Sequence, residues 1–255
     1  MSSTMKYKIQ PLTDLELFPQ EAEMSRRALT NRRTLLGLAA ATGALLPAAG
    51  SAFATSAHMH VAANARPAGA KAKVRSDKTS QTAAVLRDLW VGHIFWIRTV
   101  AAGIINKQDA AAKVAEEQAV ENAKSIAATI EPFYGAAAKD SFFKLLAGHY
   151  GAVKAYLVAT VAGDATAQSK ATQSLTSNAD EIADFLSKAN PYLSKDALQA
   201  LLLAHGGHHI AQIQQLKDGN YKDEAQTWDD MKGHVYQIAD ATAEALAKQF
   251  AKKFA

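Results

Sequence analysis

The sequence predicts an all-α fold: a bundle of six helices arranged as three helical hairpins that repeat about every 56 residues. Three observations lead there. Beyond residue 80 the chain is rich in Ala, Leu and Lys and poor in Gly and Pro, a composition that favours helix. Apolar residues there recur three and four apart, the spacing of one helix face. Polar residues recur at a spacing of 56, with His93, His149 and His205 in one series and Asn122, Asn178 and His234 in a second.

The N-terminal region reads differently. Residues 1–54 predict a twin-arginine-type signal peptide. Arg32-Arg33 precedes Thr34-Leu35-Leu36, a short apolar core runs to Leu46, and Ser51-Ala52-Phe53-Ala54 supplies a small-residue cleavage site. The core is too short to span a membrane permanently, so the expected location is the periplasm or the cell exterior, with the export machinery as a partner. That route carries folded proteins, often with a cofactor inside.

Residues 55–80 carry five Lys or Arg against one Asp, with Pro67 and no apolar periodicity, and read as a disordered basic tether. His58 and His60 lie almost at the new N-terminus. With the free amino group they form a secondary candidate for binding copper or nickel, beside the plainer reading of two solvated side chains.

The bundle domain covers 81–255 and holds 17 basic and 19 acidic residues, so the basic pI of about 9.1 comes from the segments before it. The domain has no basic excess, which argues against nucleic-acid binding. There is no Cys, which excludes disulfides and thiolate-held zinc or iron–sulfur centres. Breaks at Asn106, 132–135, Gly163-Asp164, Asn190-Pro191 and 218–220 delimit helices over 82–105, 109–131, 137–162, 166–189, 195–217 and 222–252. Asp109, Asp140, Asp164 and Ser194 stand where helix N-caps are expected.

The repeat extends beyond the polar positions. Leu89, Leu145 and Leu201 each precede a histidine by four residues, Gly163 matches Gly219, and Asn122, Asn178 and His234 are each followed four residues later by Ile. All six repeated polar residues thus share helix faces with apolar residues and point at the core. A buried imidazole or amide without partners costs about 1–3 kcal/mol. Six of them converging would satisfy one another, a water or a metal.

A metal held by imidazoles is the favoured expectation, because helical bundles place metal sites in their cores. His205 and His209 have the i, i+4 spacing that lets one helix supply two ligands. His93, His149 and His234 complete the expected ligand set, with Asn122, Asn178 and Asp240 as partners that orient the rings. Nitrogen ligation without thiolates points to zinc or copper. The alternatives are a metal-free interaction or structural protein of the envelope, and a metalloenzyme or haem protein, with Trp90, Phe95 and Trp96 as pocket walls for the haem. No Gly-rich phosphate loop and no nucleophile beside a base is present, which leans the reading away from an enzyme.

At Leu89-Trp90-x-x-His93 through Arg98, and above all from Asn178-Ala179-Asp180-Glu181 to Asn190-Pro191, the chain resembles a family of small, secreted, uncharacterised bacterial proteins that are all-helical with a histidine in several helices. The resemblance spans about residues 85–254. It implies a helical bundle outside the cytoplasm and no established activity. Where that family has an acidic residue just before the first two histidines, this chain has Gly92 and Gly148, and His208 and His209 are additional. The departure turns the expectation from carboxylate towards imidazole ligation.

Overall fold

The structure, a computed structural model, describes residues 77–255. The expected signal peptide, its cleavage site after Ala54, tether residues 55–76, and His58 and His60 lie outside the described residues.

Among the described residues there are six long helices and two single-turn ones, with no strand. They are α1 (Asp77–Ile105), α2 (Asp109–Ala128), α3 (Glu131–Tyr134), α4 (Ala136–Ala162), α5 (Ala165–Ala189), α6 (Lys195–Asp218), α7 (Tyr221–Gln249) and α8 (Ala251–Phe254). The first helix begins four residues before the expected domain start at 81. Thr79 is buried against the bundle, and the Lys78 ammonium donates to the carbonyl of Ala255, so this turn is held by the far end of the chain.

Helix ends follow local chemistry. Asp164 and Ser194 act as N-caps, accepting from the backbone N–H of Ala167 and Ala197, and Asn220 does the same for Asp223. Two expected caps are corrected. Asp109 is the first residue of α2, after Gln108, and Asp140 lies inside α4, because the turn at Gly135 (φ 85°) starts that helix earlier.

The long helices α1, α4 and α6 all end in the same way. Lys107, Gly163 and Gly219 adopt left-handed φ values of 58°, 69° and 71°. The next N–H in each case reaches back five residues: Gln108 to Gly103, Asp164 to Ala159, Asn220 to Gln215, at 2.7, 3.0 and 2.8 Å. This is the Schellman arrangement, which satisfies carbonyls left open at a helix end. Lys107 adopts it without the freedom of glycine and is the only non-glycine with positive φ among the described residues.

Each long helix packs on its sequence neighbour, and α1 also packs on α7, so the six form a closed ring of contacts. Within it, α1, α4 and α6 each touch the other two. Two of these inner helices, at Lys78–Ile105 and Ala136–Ala162, are long and apolar enough to cross a membrane. Here that apolarity goes into packing against the other helices of the bundle.

The core divides along the bundle. One apolar cluster gathers Leu86, Trp90, Ile94, Leu146, Ile182, Leu202, Val235 and Ile238. The other gathers Ile97, Val100, Val153, Leu157, Leu175, Ile213 and Leu216. On α4 and α6 the switch from one cluster to the other comes at the histidines, with 146 and 153 flanking His149 and 202 and 213 flanking His205 and His209; on α1 it comes just after His93, between Ile94 and Ile97.

Candidate metal centre

His93 projects from α1, His149 from α4, and His205 and His209 from successive turns of α6. One ligand-capable nitrogen of each lies within 4.8 Å of the others. All four are buried, at 4% exposure or less. The closest pair is His205 Nε2 and His209 Nε2, 3.2 Å apart. Four imidazoles around zinc, at Zn–N of about 2.0–2.1 Å, stand about 3.3 Å apart along each edge of a tetrahedron. One edge therefore already has the required length.

The six ring-to-ring centroid distances run from 4.5 to 6.0 Å. The two longest, His93–His149 at 6.0 Å and His149–His209 at 5.9 Å, share a vertex. In a square the two longest separations are diagonals and share none. The rings are thus disposed as a tetrahedron. Trp90 closes one side, edge-on to His93 at 5.6 Å and to His205 at 5.9 Å.

Electrostatics keep these rings neutral. Burial pushes the His93 pKa down to about 3, with His149 adding to the effect. Burial pushes His149 down to about 4, opposed by the nearby Asn178 amide. His205 and His209 lie well below the ordinary histidine value, through burial first and the neighbouring rings second. A neutral imidazole offers a lone pair, which is the form a metal takes.

The polar bookkeeping of this layer does not close. His93 Nε2, both ring nitrogens of His149, His205 Nδ1 and His209 Nδ1 are buried without a hydrogen-bond partner. Buried polar groups in folded proteins are nearly always paired, so each such atom calls for an explanation.

The expected orienting residues divide. Asn122 Nδ2 donates to Leu89 O and Asn178 Nδ2 to Leu145 O, each at 3.0 Å. Their Oδ1 atoms are buried and unpartnered. The close approach depends on the glycines preceding the histidines. A Cβ at Gly92 would stand 2.9 Å from Asn122 Nδ2, and one at Gly148 3.2 Å from Asn178 Nδ2. Those glycines, one residue before each histidine, were the sequence signal for this contact. Asp240 is not near the histidine group in this way: its carboxylate takes both Nε and Nη2 of Arg87, at 2.9 and 2.5 Å.

His234 also stands apart from the four. Its Nε2 donates to Leu201 O at 2.7 Å, the same bond from the same position that Asn122 and Asn178 make. Its ring meets His208 edge-on at 5.3 Å. A side chain tied to the backbone of α6 in this manner sits at the level of Leu201, one turn before His205.

Sequence reasoning missed a buried charge one turn beyond His209. Glu224, 3% exposed, accepts from Arg98 Nε and Nη2 at 2.6 and 2.9 Å and from Gln212 Nε2 at 2.9 Å. The Arg98 bonds hold its carboxyl below the usual range. Its position at the polar start of α7 gave no apolar stripe to mark it as buried.

A comparison with family models, with curated proteins and with solved structures finds no match to this chain, so the four-histidine geometry is what bears on its chemistry.

Proposed function

We propose that His93, His149, His205 and His209 hold one zinc ion, and that the protein is an exported metal-binding protein serving in storage or sensing. The observation that carries this reading is the set of five unpartnered ring nitrogens on four buried, neutral imidazoles arranged as a tetrahedron. A metal ion held by His93 Nε2, His149 Nε2 and the Nε2 atoms of His205 and His209 would take one lone pair from each ring and satisfy two of those five nitrogens, leaving His149 Nδ1, His205 Nδ1 and His209 Nδ1 to other partners. The tetrahedral disposition favours zinc over copper(II), which prefers tetragonal geometry.

Four protein ligands make a closed shell. A catalytic zinc keeps a position open for water or substrate, so the closed shell favours binding over catalysis. Haem needs a wide slot between its axial ligands; four rings within 6.0 Å of one another, with Trp90 against two of them, leave no such slot.

Asn178 fits the role of orienting His149. It lies close enough to raise that ring's pKa, and its Oδ1 is a free acceptor for Nδ1–H, which leaves Nε2 for the metal. Asn122 offers the same acceptor on α2. The matched Asn and His bonds to the carbonyls 33 residues earlier, and the matched helix ends at a spacing of 56, support reading the bundle as three copies of one hairpin. On that reading three core positions became three ligands, and His209 supplied the fourth.

The test is elemental analysis of protein purified without a histidine tag, then titration of the metal-free form with zinc. The expected result is one zinc per chain, abolished in His149→Ala/His205→Ala. A folded protein that binds no zinc or copper would sink the reading.

A further inference from the structure

The four histidines are sealed in the core, which raises the question of how a metal reaches them after folding. On the proposed zinc site rests the following: we infer that His208 and His234 form a second, outer cation site that passes zinc from solvent to the buried four.

Three observations carry it. His208 and His234 are half-buried, between solvent and core, and their rings meet at 5.3 Å. His208 Nδ1 is buried without a partner, while His234 Nε2 donates to Leu201 O, so the lone pair of that neutral ring sits on Nδ1. Each ring thus offers one nitrogen to a cation.

The pair is anchored on the helix that carries His205 and His209. His208 is the chain neighbour of His209, and Leu201, which holds His234, is one turn before His205 on the same helix. Outside the pair, Asp230 is exposed and stands one turn before His234 on α7. From the exposed end of α7 inward, a carboxylate is followed by two half-buried imidazoles and then by the buried four, and imidazole suits zinc better than carboxylate does.

The 56-residue pattern singles out the same place. Positions matching His208 are Trp96 and Ala152, and positions matching His234 are Asn122 and Asn178. His234 keeps the hydrogen bond that the asparagines make. Its imidazole therefore adds something that the bond to α6 does not require, and it does so beside the only other half-buried histidine among the described residues.

The pattern also supplies a variant that folds. His234→Asn restores the residue found at both matching positions and keeps a donor for Leu201 O; His208→Gln keeps a polar side chain. Metal-free wild type and the double variant are mixed with zinc in a stopped-flow instrument, with uptake followed by competition against a chromophoric chelator. The double variant is expected to load at least about tenfold more slowly, the effect of about 1.4 kcal/mol on a barrier, and to reach the same one-zinc end point with the same affinity. Loading at the wild-type rate overturns the outer site and leaves the inner one standing. A lower end point in the double variant overturns it too, since His208 or His234 would then belong to the inner shell. If wild type takes up no zinc at all, the inner site falls and the outer one with it.

Discussion

The histidine layer and the apolar clusters on either side of it share three helices and are equally buried, yet they are completed in opposite ways. Ile94, 0% exposed, is finished by its neighbours: an apolar side chain needs only close packing. His93, one residue earlier, is equally enclosed and retains an unpartnered Nε2. The contrast teaches that burial alone ends the account of the apolar layers and opens the account of the polar one. The packing of the bundle creates a demand there that its own side chains do not meet.

The largest expected effect separates the two layers by ligand. Zinc at about a thousandfold its dissociation constant should stabilise the wild type by about 4 kcal/mol. It should leave His149→Ala/His205→Ala unmoved, as read by thermal unfolding. Equal shifts in both proteins would mean that zinc binds elsewhere.

Next come paired substitutions in adjacent layers. Ile94→Ala should cost about 2–5 kcal/mol of metal-free stability through the cavity it leaves, with zinc stoichiometry retained. His149→Leu should raise metal-free stability by about 1–3 kcal/mol, because it removes two unpaired buried nitrogens, and should abolish zinc binding. A loss of stability in His149→Leu, measured by chemical denaturation, would show that these nitrogens are satisfied without metal.

The pH dependence is smaller at each step. The unfolded chain protonates its histidines near 6.5, while the folded protein holds His93 neutral down to about 3 and His149 down to about 4. Between those limits the unfolded state binds more protons, so stability falls as pH drops below about 6.5. The slope approaches about 1.4 kcal/mol per pH unit for each such histidine. Metal-free unfolding curves between pH 7 and 4 check this, and a flat profile in that window would remove the buried, neutral layer.

The smallest effect concerns the helix ends. Lys107 holds the left-handed conformation that Gly163 and Gly219 adopt freely. Lys107→Gly should stabilise by about 0.5–1 kcal/mol, the relief of strain less the entropy that glycine adds to the unfolded chain. Gly163→Ala should move the melting temperature in the opposite direction.

Much of this was legible in advance. The helices, the inward faces of His93, His149, His205 and His209, and the breaks between helices follow from periodicities that depend only on the geometry of a helix. Two failures are instructive. Asp240 shares the inner half of α7 with His234, but Arg87 of α1 captures it, and no local pattern reports a partner 153 residues away. Lys107 was passed over because the sequence marks a left-handed turn only when glycine fills it.

The sequence by itself determined which residues lie on buried faces, because burial of an apolar stripe is dictated by helical spacing, and it determined that two polar positions each recur three times at a distance of 56. Only the tertiary structure decided which of the buried polar groups meet. His209, a turn beyond the repeated position, joins the group, while His234, at a repeated position, turns to the carbonyl of Leu201. The physical reason is that a helix fixes the direction of a side chain to within a face, whereas a ligand set requires atoms from three helices to agree within a few ångströms. That agreement is set by how closely the helices approach, and here Gly92 and Gly148 leave room for the side chains of Asn122 against α1 and Asn178 against α4.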